Sequence, residues 1–270
     1  MVVMLVLPSA VVYAANPWAL VPGPSDGPAQ AIGTYTNGCV VGATQLAPSE
    51  RGLEVMRWSR QRHFGHPLLL KLVRDLAQHA DTQAWGTLLV GDLGQARGGP
   101  TFTNHISHQS GLDADIWFRT LRPARSVTMR ERESLNATQY VNWRARKLDP
   151  SWGEAQSEML RFAAERPEVQ RIFVSPVIKR ELCRVTAKPR VWLQKIRPWF
   201  GHGDHMHVRL LCPPASPDCA LQAPVPSGDG CGAELESWLQ PQRPNKKPAK
   251  NKPHKAKLLP ARCIALLRSP

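Results

Sequence analysis

Two histidine-bearing segments, far apart in the chain, constrain its fold more than any other feature of the sequence. Residues 105–115 and residues 202–207 together contain five of the nine histidines. Each segment runs into an alternation of polar and apolar residues, which is typical of a strand with one buried face. Because histidines and carboxylates on such strands gather where a cation binds, we expect a fold that brings the two strands to one cleft.

The alternation predicts which side chains face that cleft. In the first strand the polar face holds Asp113, Asp115 and Trp117, and the apolar face holds Leu112, Ala114, Ile116 and Phe118. In the second strand the polar face holds His205, His207 and Arg209, and the apolar face holds Met206, Val208 and Leu210. A spacing of two therefore points both histidines of the second strand in the same direction.

The types of these residues indicate a catalytic zinc site. Such a site has three nitrogen or oxygen ligands from the protein and one open position for water, whose pKa falls to about 7. Our candidate ligands are His108 at the end of a loop, Asp115 on the adjoining strand and His207 on the second strand. His205 cannot easily bind the same ion as its neighbour, so we assign it proton transfer and stabilisation of a tetrahedral intermediate. The motif H-E-x-x-H is absent, which favours a histidine as the base.

Other candidates in and near the two segments have weaker support. Asp113 could hold a ligand in place or be solvated, and Arg209 could bind a substrate carboxylate or form an ordinary ion pair. Trp199 and Phe200 are interpreted as core residues rather than as a substrate platform. The histidines interpreted as surface or structural residues are His63, His66, His79 and His254.

The chain is strongly basic, with a net charge of +14 and a pI near 10.0, which favours nucleic acid, a membrane surface or an anionic cell-wall polymer as partner. A solvated surface with a basic tail is the alternative, since the Lys-rich residues 241–257 supply part of the excess. Residues 1–14 resemble a signal segment, with Val12 and Ala14 at the positions that a signal peptidase reads, so we expect export. No other run has the length of a membrane span, so we expect no integral membrane segment in the mature chain.

Six cysteines agree with export, because an even number in an exported chain favours disulfides. The sequence alone permits fifteen ways of forming three pairs. Cys212 and Cys219 look like the two ends of a small closed loop. We expect residues 15–240 to form one domain and residues 241–270 to form a Pro/Lys-rich tail, which Cys263 would tie back to the body.

The remaining pattern predicts an α+β domain with a central, mostly antiparallel sheet flanked by helices. Residues 50–80 predict two helices that are separated by a turn at His66 and Pro67. Residues 119–150 are polar and Arg-rich, and they predict an excursion over the surface. Further strands are predicted at 85–92 and 171–176, and further helices at 151–166 and 191–196.

The sequence resembles a known family, the penicillin-insensitive murein endopeptidases. The resemblance rests on the stretches 32–39, 62–67, 91–94, 105–115, 197–200, 202–212 and 227–235. It implies a disulfide-stapled zinc metallopeptidase that is related to lysostaphin, D-Ala-D-Ala dipeptidases and hedgehog domains. The implied enzyme is periplasmic, of the Gram-negative type, and cuts D-alanyl–meso-diaminopimelyl cross-links of peptidoglycan in a reaction that β-lactams do not block.

The resemblance also implies roles for single residues. It implies zinc ligands at His108, Asp115 and His207, a catalytic His205, and accessory ligands or supporting residues at His105 and His202. It implies disulfides between Cys39 and Cys263, Cys183 and Cys231, and Cys212 and Cys219. Some members carry an Asp-x-x-His pair that holds a second metal after the first metal strand. Residues 119–150 contain no histidine, so we expect one zinc ion here.

Two other functions fit the same residues. A D,D-carboxypeptidase or dipeptidase could use the same ligands, and a zinc-bearing module could bind the cell wall without turnover. A secreted nuclease would fit the charge but has no support in the resemblance, so nucleic acid is not an expected partner. The sequence predicts no particular oligomeric state.

Overall fold

A seven-stranded sheet runs through the centre of the fold. The computed structural model describes residues 16–101, 106–240 and 258–269. Its strands, including those of three two-stranded sheets, are β1 (Gln30–Thr34), β2 (Asn37–Val41), β3 (Thr44–Gln45), β4 (Ser49–Glu50), β5 (Leu53–Val55), β6 (Phe64–Gly65), β7 (Thr87–Val90), β8 (Asp113–Leu121), β9 (Val141–Asn142), β10 (Lys147–Leu148), β11 (Val169–Val174), β12 (Ile196–Pro198) and β13 (His205–Leu210). Its helices are α1 (Pro67–Thr82), α2 (Met129–Ser134), α3 (Glu154–Glu165), α4 (Pro176–Val185), α5 (Ala233–Leu239) and α6 (Ala261–Arg268), with short 3₁₀ helices at Pro17–Ala19, Trp58–Arg60 and Val191–Lys195.

The large sheet has the strand order β12-β11-β13-β8-β7-β5-β4. The pairs β11–β12 and β5–β7 run parallel, and every other neighbouring pair in this sheet is antiparallel. The predicted α+β class with a mostly antiparallel central sheet is therefore confirmed. The two histidine-bearing strands β8 and β13 are neighbours, in a register that sets His207 opposite Asp115 and Arg209 opposite Asp113.

The alternation predicted for β8 and β13 is also confirmed. Ala114, Ile116 and Phe118 of β8 are fully buried in the main core, as are Met206 and Val208 of β13. Helices α1 and α3 contact each other and join the same core, α1 against β7 and α3 against β11. Each large apolar side chain in this core contributes about 1.5–3 kcal/mol on burial. The polar faces of β8 and β13 are thereby free to form the site.

The first of the two helices predicted at residues 50–80 is wrong. Leu53 and Val55 lie on β5, which is parallel to β7, and only α1 is helical. All three residues of β5 are buried, including the charged Glu54, which pairs with Arg132. A run of three residues is too short for its periodicity to separate a strand from a helix. Pro67 is the first residue of α1 because its fixed φ suits that position, and the preceding His66 caps the helix by accepting from the Leu68 amide.

Residues 119–150 are only partly the surface excursion that their composition predicts. They contain α2 and the β9–β10 hairpin, and Arg132 of α2 is 2 % exposed. Its guanidinium forms an ion pair with the buried Glu54 at 2.6 Å and donates to the backbone oxygens of Pro48 and Val55. An arginine in a polar stretch of sequence is normally expected to be exposed. The burial of Arg132 could not be predicted because its partner, Glu54, lies far away in the sequence.

The interpretation of Trp199 and Phe200 as core residues is wrong. Trp199 is 52 % exposed and Phe200 is 39 % exposed. Their rings lie 5.6 and 5.0 Å from the ring of Trp238 on α5, so the three form an aromatic group at the surface. The preceding strand β12 is buried, but the chain leaves the sheet at its end.

Three disulfides link distant parts of the chain, in the pairs that the resemblance implies: Cys39–Cys263, Cys183–Cys231 and Cys212–Cys219. The first of them holds α6 against β2, and Arg97 donates to the backbone oxygens of Leu266 and Ser269 at the end of that helix. The signal-like residues 1–14, His105, and the Pro/Lys-rich residues 241–257 lie outside the described residues. Within the described part of the chain, no helix is long and apolar enough to cross a membrane.

Candidate metal centre

His108, Asp115 and His207 come together in the interior, each at most 5 % exposed. One ligand atom from each lies within 4.8 Å of the corresponding atoms of the other two. Nε2 of His108 is 3.4 Å from Oδ2 of Asp115, and Nδ1 of His207 is 3.0 Å from Oδ1 of Asp115. The two strands thus bring together the three residues that the sequence suggested as ligands.

A tight turn places His108 beside the strand that carries Asp115. His108 itself has a φ of 68°, and Gly111, with a φ of 71°, reverses the chain before β8. A Cβ at Gly111 would meet the backbone nitrogen of His66 and the side chain of Val40 at 3.1 Å. Only glycine combines this φ with so close an approach, so the short spacing from His108 to Asp115 depends on it.

Asp113 determines which ring nitrogen of each histidine faces the centre. Nε2 of His207 donates to Oδ1 of Asp113 at 2.8 Å, so in the neutral ring Nδ1 carries the lone pair, and this atom faces Asp115. Nδ1 of His108 lies 3.3 Å from the backbone oxygen of Asp113, which leaves Nε2 directed towards Asp115. Histidines that bind a metal characteristically have the other ring nitrogen held by a carboxylate or a backbone oxygen.

Asp113 is fully buried and is balanced by a cation. Nε of Arg209 donates to its Oδ1 at 2.6 Å, and the His108 amide donates to its Oδ2 at 3.2 Å. Burial alone would raise the pKa of this carboxyl, but Arg209 and His207 outweigh burial and hold it well below its usual range. Asp113 therefore holds His207, a candidate ligand, in place, and Arg209 forms an ion pair with Asp113.

His205 lies at the mouth of the centre, with 15 % of its side chain exposed. Its Nδ1 is 2.6 Å from Oδ1 of Asp204, and its Nε2 is 3.7 Å from Oδ1 of Asp115. Burial lowers the pKa of His205, but Asp115 and Asp204 raise it further than burial lowers it. The Asp204 carboxylate thus holds the ring at Nδ1, and Nε2 points towards the centre.

His202 completes the group of histidines. Its ring centroid is 4.9 Å from that of His205 and 5.9 Å from that of His207, and its Nδ1 is 2.9 Å from the Phe200 oxygen. Burial, with a smaller contribution from the two neighbouring histidines, lowers the pKa of His202 to about 4. It is therefore neutral at physiological pH.

Comparison with known proteins matches residues 31–268 to the family model described as penicillin-insensitive murein endopeptidase. The chain belongs to the penicillin-insensitive murein endopeptidase family. It is 43% identical over 265 residues to a protein of that name from Klebsiella pneumoniae (strain 342), covering 98% of this chain and 95% of the relative. Similar relatives of the same name occur in Yersinia enterocolitica, 44% identical with coverage of 95% and 92%, and in Haemophilus influenzae, 42% identical with coverage of 91% and 85%.

The donor set of this family member fits the zinc ion that the resemblance implies. Zinc bonds of about 2.0–2.2 Å in a tetrahedral arrangement separate neighbouring ligand atoms by roughly 3.3 Å. Nε2 of His108 lies 3.4 Å from Oδ2 of Asp115 and Nδ1 of His207 lies 3.0 Å from its Oδ1, so each histidine nitrogen faces a different carboxylate oxygen at close to this separation. Nδ1 of a neutral His207 and a carboxylate oxygen are both acceptors, so their close approach requires a proton or a metal cation between them.

The sequence did not indicate Asp204, although it holds His205 in place. Its role depends on the orientation of the neighbouring ring, which no spacing rule predicts. The only signal is its position next to a predicted catalytic histidine, and adjacent residues on a strand ordinarily point to opposite faces. Asp204 acts from the loop immediately before β13, where that alternation does not yet apply.

The histidines outside the two segments are structural where the structure describes them. His63 is buried against the ring of Trp58, at a centroid distance of 3.6 Å, and His66 caps α1. His79 stacks on Phe162 at 4.1 Å. His254 lies outside the described residues.

Proposed function

We propose that this protein is a zinc-dependent murein endopeptidase that hydrolyses D-alanyl–meso-diaminopimelyl cross-links of peptidoglycan. Membership of the family supports the substrate class. The buried cluster of His108, Asp115 and His207 supports a metallopeptidase, because one ligand atom from each lies within 4.8 Å of the other two, close enough to converge on one metal ion. A reaction of this kind forms no acyl-enzyme on a serine, so β-lactams would not block it.

The orientation of His207 is the observation that carries this proposal. Its Nε2 donates to a fully buried carboxylate, Asp113, and so its Nδ1 is available to a cation beside Asp115. A histidine that served only the packing would not need this partner. We assign His108, Asp115 and His207 as the zinc ligands, with one ion bound.

When bound, zinc would polarise the scissile carbonyl and lower the pKa of the attacking water. The chain's own residues then do the rest. His205, held by Asp204 through Nδ1, directs Nε2 to the oxygen that becomes negative as the tetrahedral centre forms. With Nδ1 held by Asp204, its Nε2 can donate to that oxygen and pass a proton to the leaving amine. His202, neutral beside it, would serve as an accessory residue that shapes the mouth of the centre.

The remaining assignments follow from the same proposal. Residues 1–14 would direct export, and residues 15–240 would form the catalytic domain. Residues 241–270 would form a basic tail that is tethered through Cys263. An enzyme that acts on peptidoglycan cross-links would work in the periplasm, where disulfides persist. The basic surface would favour the anionic wall polymer over nucleic acid.

Purified protein incubated with cross-linked muropeptide dimers tests the proposal. The wild type should separate the dimers, a chelator should stop it, and added zinc should restore it. His207→Ala should be inactive, whereas the matched change His254→Ala, outside both histidine segments, should leave activity unchanged. Dimers that lose a terminal D-alanine but stay joined would indicate a carboxypeptidase. Wall binding without turnover in zinc-loaded protein would indicate a binding module.

A further inference from the structure

The cleft beside the metal centre has a basic wall that the reaction described above does not use. Arg57 and Arg60 line a cavity of about 310 Å³ together with Asp115 and His205. Both arginines belong to the turn around the 3₁₀ helix Trp58–Arg60. Asp92 and Asp204 line the same cavity, but they are paired with Arg62 and with His205. A negative charge of the substrate close to the scissile bond would therefore be attracted to the two guanidinium groups.

The turn that carries the arginines is held in a costly conformation. Arg57 and Gln61, on either side of the 3₁₀ helix, have φ angles of 57° and 52°. Left-handed conformations are uncommon for residues other than glycine, and they cluster at functional sites. Ser59 fixes this turn because its amide and hydroxyl both donate to the Glu133 carboxylate, at 2.9 and 2.8 Å. The position of Arg60 is thus determined by its neighbours.

Arg60 differs from Arg57, the other arginine of this wall, in what its guanidinium contacts. Arg57 donates to the backbone oxygens of Arg132 and Glu133 and to the side chain of Asn136. Arg60 uses Nη1 alone, which lies 3.2 Å from both carboxylate oxygens of Asp92. Its Nε and Nη2 donate to no acceptor in the described parts of the chain.

Asp92 does not need Arg60 for charge balance. Arg62, whose side chain is 11 % exposed, also donates to Asp92 at 2.9 Å, while the Asp92 side chain is 3 % exposed. Two guanidinium groups therefore share one carboxylate. The Arg60 side chain is 46 % exposed, so it presents the surplus positive charge and the free edge of its fork to the cleft.

We propose that Arg60 binds the carboxylate on the diaminopimelyl carbon that is attached to the scissile nitrogen. This inference rests on the proposed function. Only three bonds separate that carboxylate carbon from the scissile carbonyl carbon, so both groups must enter the same cleft. Arginine pairs with carboxylates through two parallel hydrogen bonds, which its free Nε and Nη2 can supply. Arg60 thereby makes the site specific for acidic rather than amidated cross-links.

The test compares two muropeptide dimers in which this single carboxylate is either free or converted to an amide. Wild-type protein should cleave the acidic dimer with a kcat/KM about 10- to 100-fold above that for the amide, the value of one charge-assisted pair. Arg60→Gln should lose this factor on the acidic dimer and little on the amide. Arg60→Lys should fall between them. The matched control Arg51→Gln, at an arginine side chain that is 91% exposed, should behave as the wild type.

Several outcomes would overturn this role for Arg60. If the wild type cleaves both dimers equally well, the role of Arg60 is refuted. This result needs no variant, so it holds even if Arg60→Gln does not fold. An equal loss by Arg60→Gln on both dimers would indicate a structural role through Asp92 instead. A wild type that cleaves neither dimer would refute the proposed function itself, which is a different result. Thermal unfolding of each variant accompanies the kinetics.

Discussion

The replacement of Asp113 by asparagine should weaken the metal centre without touching a proposed ligand. The carboxylate accepts from His207 at 2.8 Å, from Arg209 at 2.6 Å and from the His108 amide at 3.2 Å. An asparagine side chain has one acceptor oxygen and one NH₂ group. If its oxygen stays with His207 and Arg209, the NH₂ group meets the amide of His108, and two donors face each other.

The size of the effect follows from these contacts. Asp113 is 0 % exposed, so Asp113→Asn leaves Arg209 as a buried cation without its carboxylate, which costs about 3–5 kcal/mol of the free energy of unfolding. His207 loses the charged group that sets its tautomer, and the affinity for zinc should fall about 10- to 100-fold. Denaturant unfolding of the metal-free protein measures the first effect, and competition with a chromophoric chelator measures the second.

Asp149→Asn is the matched control for this prediction. Asp149 is exposed, and within the described residues its carboxylate accepts hydrogen bonds from Ser151 alone. Its change should therefore alter stability by less than about 0.5 kcal/mol and leave zinc affinity unaltered. A zinc dissociation constant for Asp113→Asn within twofold of the wild-type value would refute the reasoning. It would mean that the buried carboxylate does not orient His207 for a cation.

Two further predictions concern the buried ion pair and the proton balance of the centre. Arg132→Met should lower the free energy of unfolding, measured in urea, by about 3–5 kcal/mol because Glu54 keeps a buried charge. The control Arg130→Met, at an exposed position of the same helix, should lower it by almost nothing. Recovery of stability by a second change, Glu54→Met, would support the pairing. In metal-free protein, burial lowers the pKa of His108, but the carboxylates of Asp115 and its neighbours raise it to about 9, so a proton is bound below that pH and lost above it. Zinc affinity should therefore rise with pH between about 6.5 and 9, with release of a proton in calorimetric titrations; a flat profile would contradict this.

The sequence predicts the strands β8 and β13 best, because one face of each strand is buried in the core and the other face forms the site. On β8 and β13 the two requirements alternate residue by residue, so Ile116 and Val208 report the core as clearly as Asp115 and His207 report the centre. The strand β5 carries no usable signal because it has only three residues, and its charged Glu54 is buried through an ion pair with the distant Arg132.

Residues whose role depends on a distant partner were the hardest to predict. Arg132 is buried because Glu54 lies opposite it, and Trp199 is exposed because the chain leaves the sheet after β12. Asp204 and Arg60 have roles that depend on the direction of one ring and on one turn in an unusual conformation. None of these contacts and conformations produces a periodic pattern of residue types in the sequence, so the sequence alone does not predict them.

An anomalous difference map at the zinc edge, from crystals of the zinc-loaded protein, tests the central claim most directly. One peak should lie about 2.0–2.2 Å from Nε2 of His108, a carboxylate oxygen of Asp115 and Nδ1 of His207, with a solvent atom at the fourth position. Density at Nε2 of His207 instead, or an ion whose positions are all filled by protein atoms, would contradict the proposed centre.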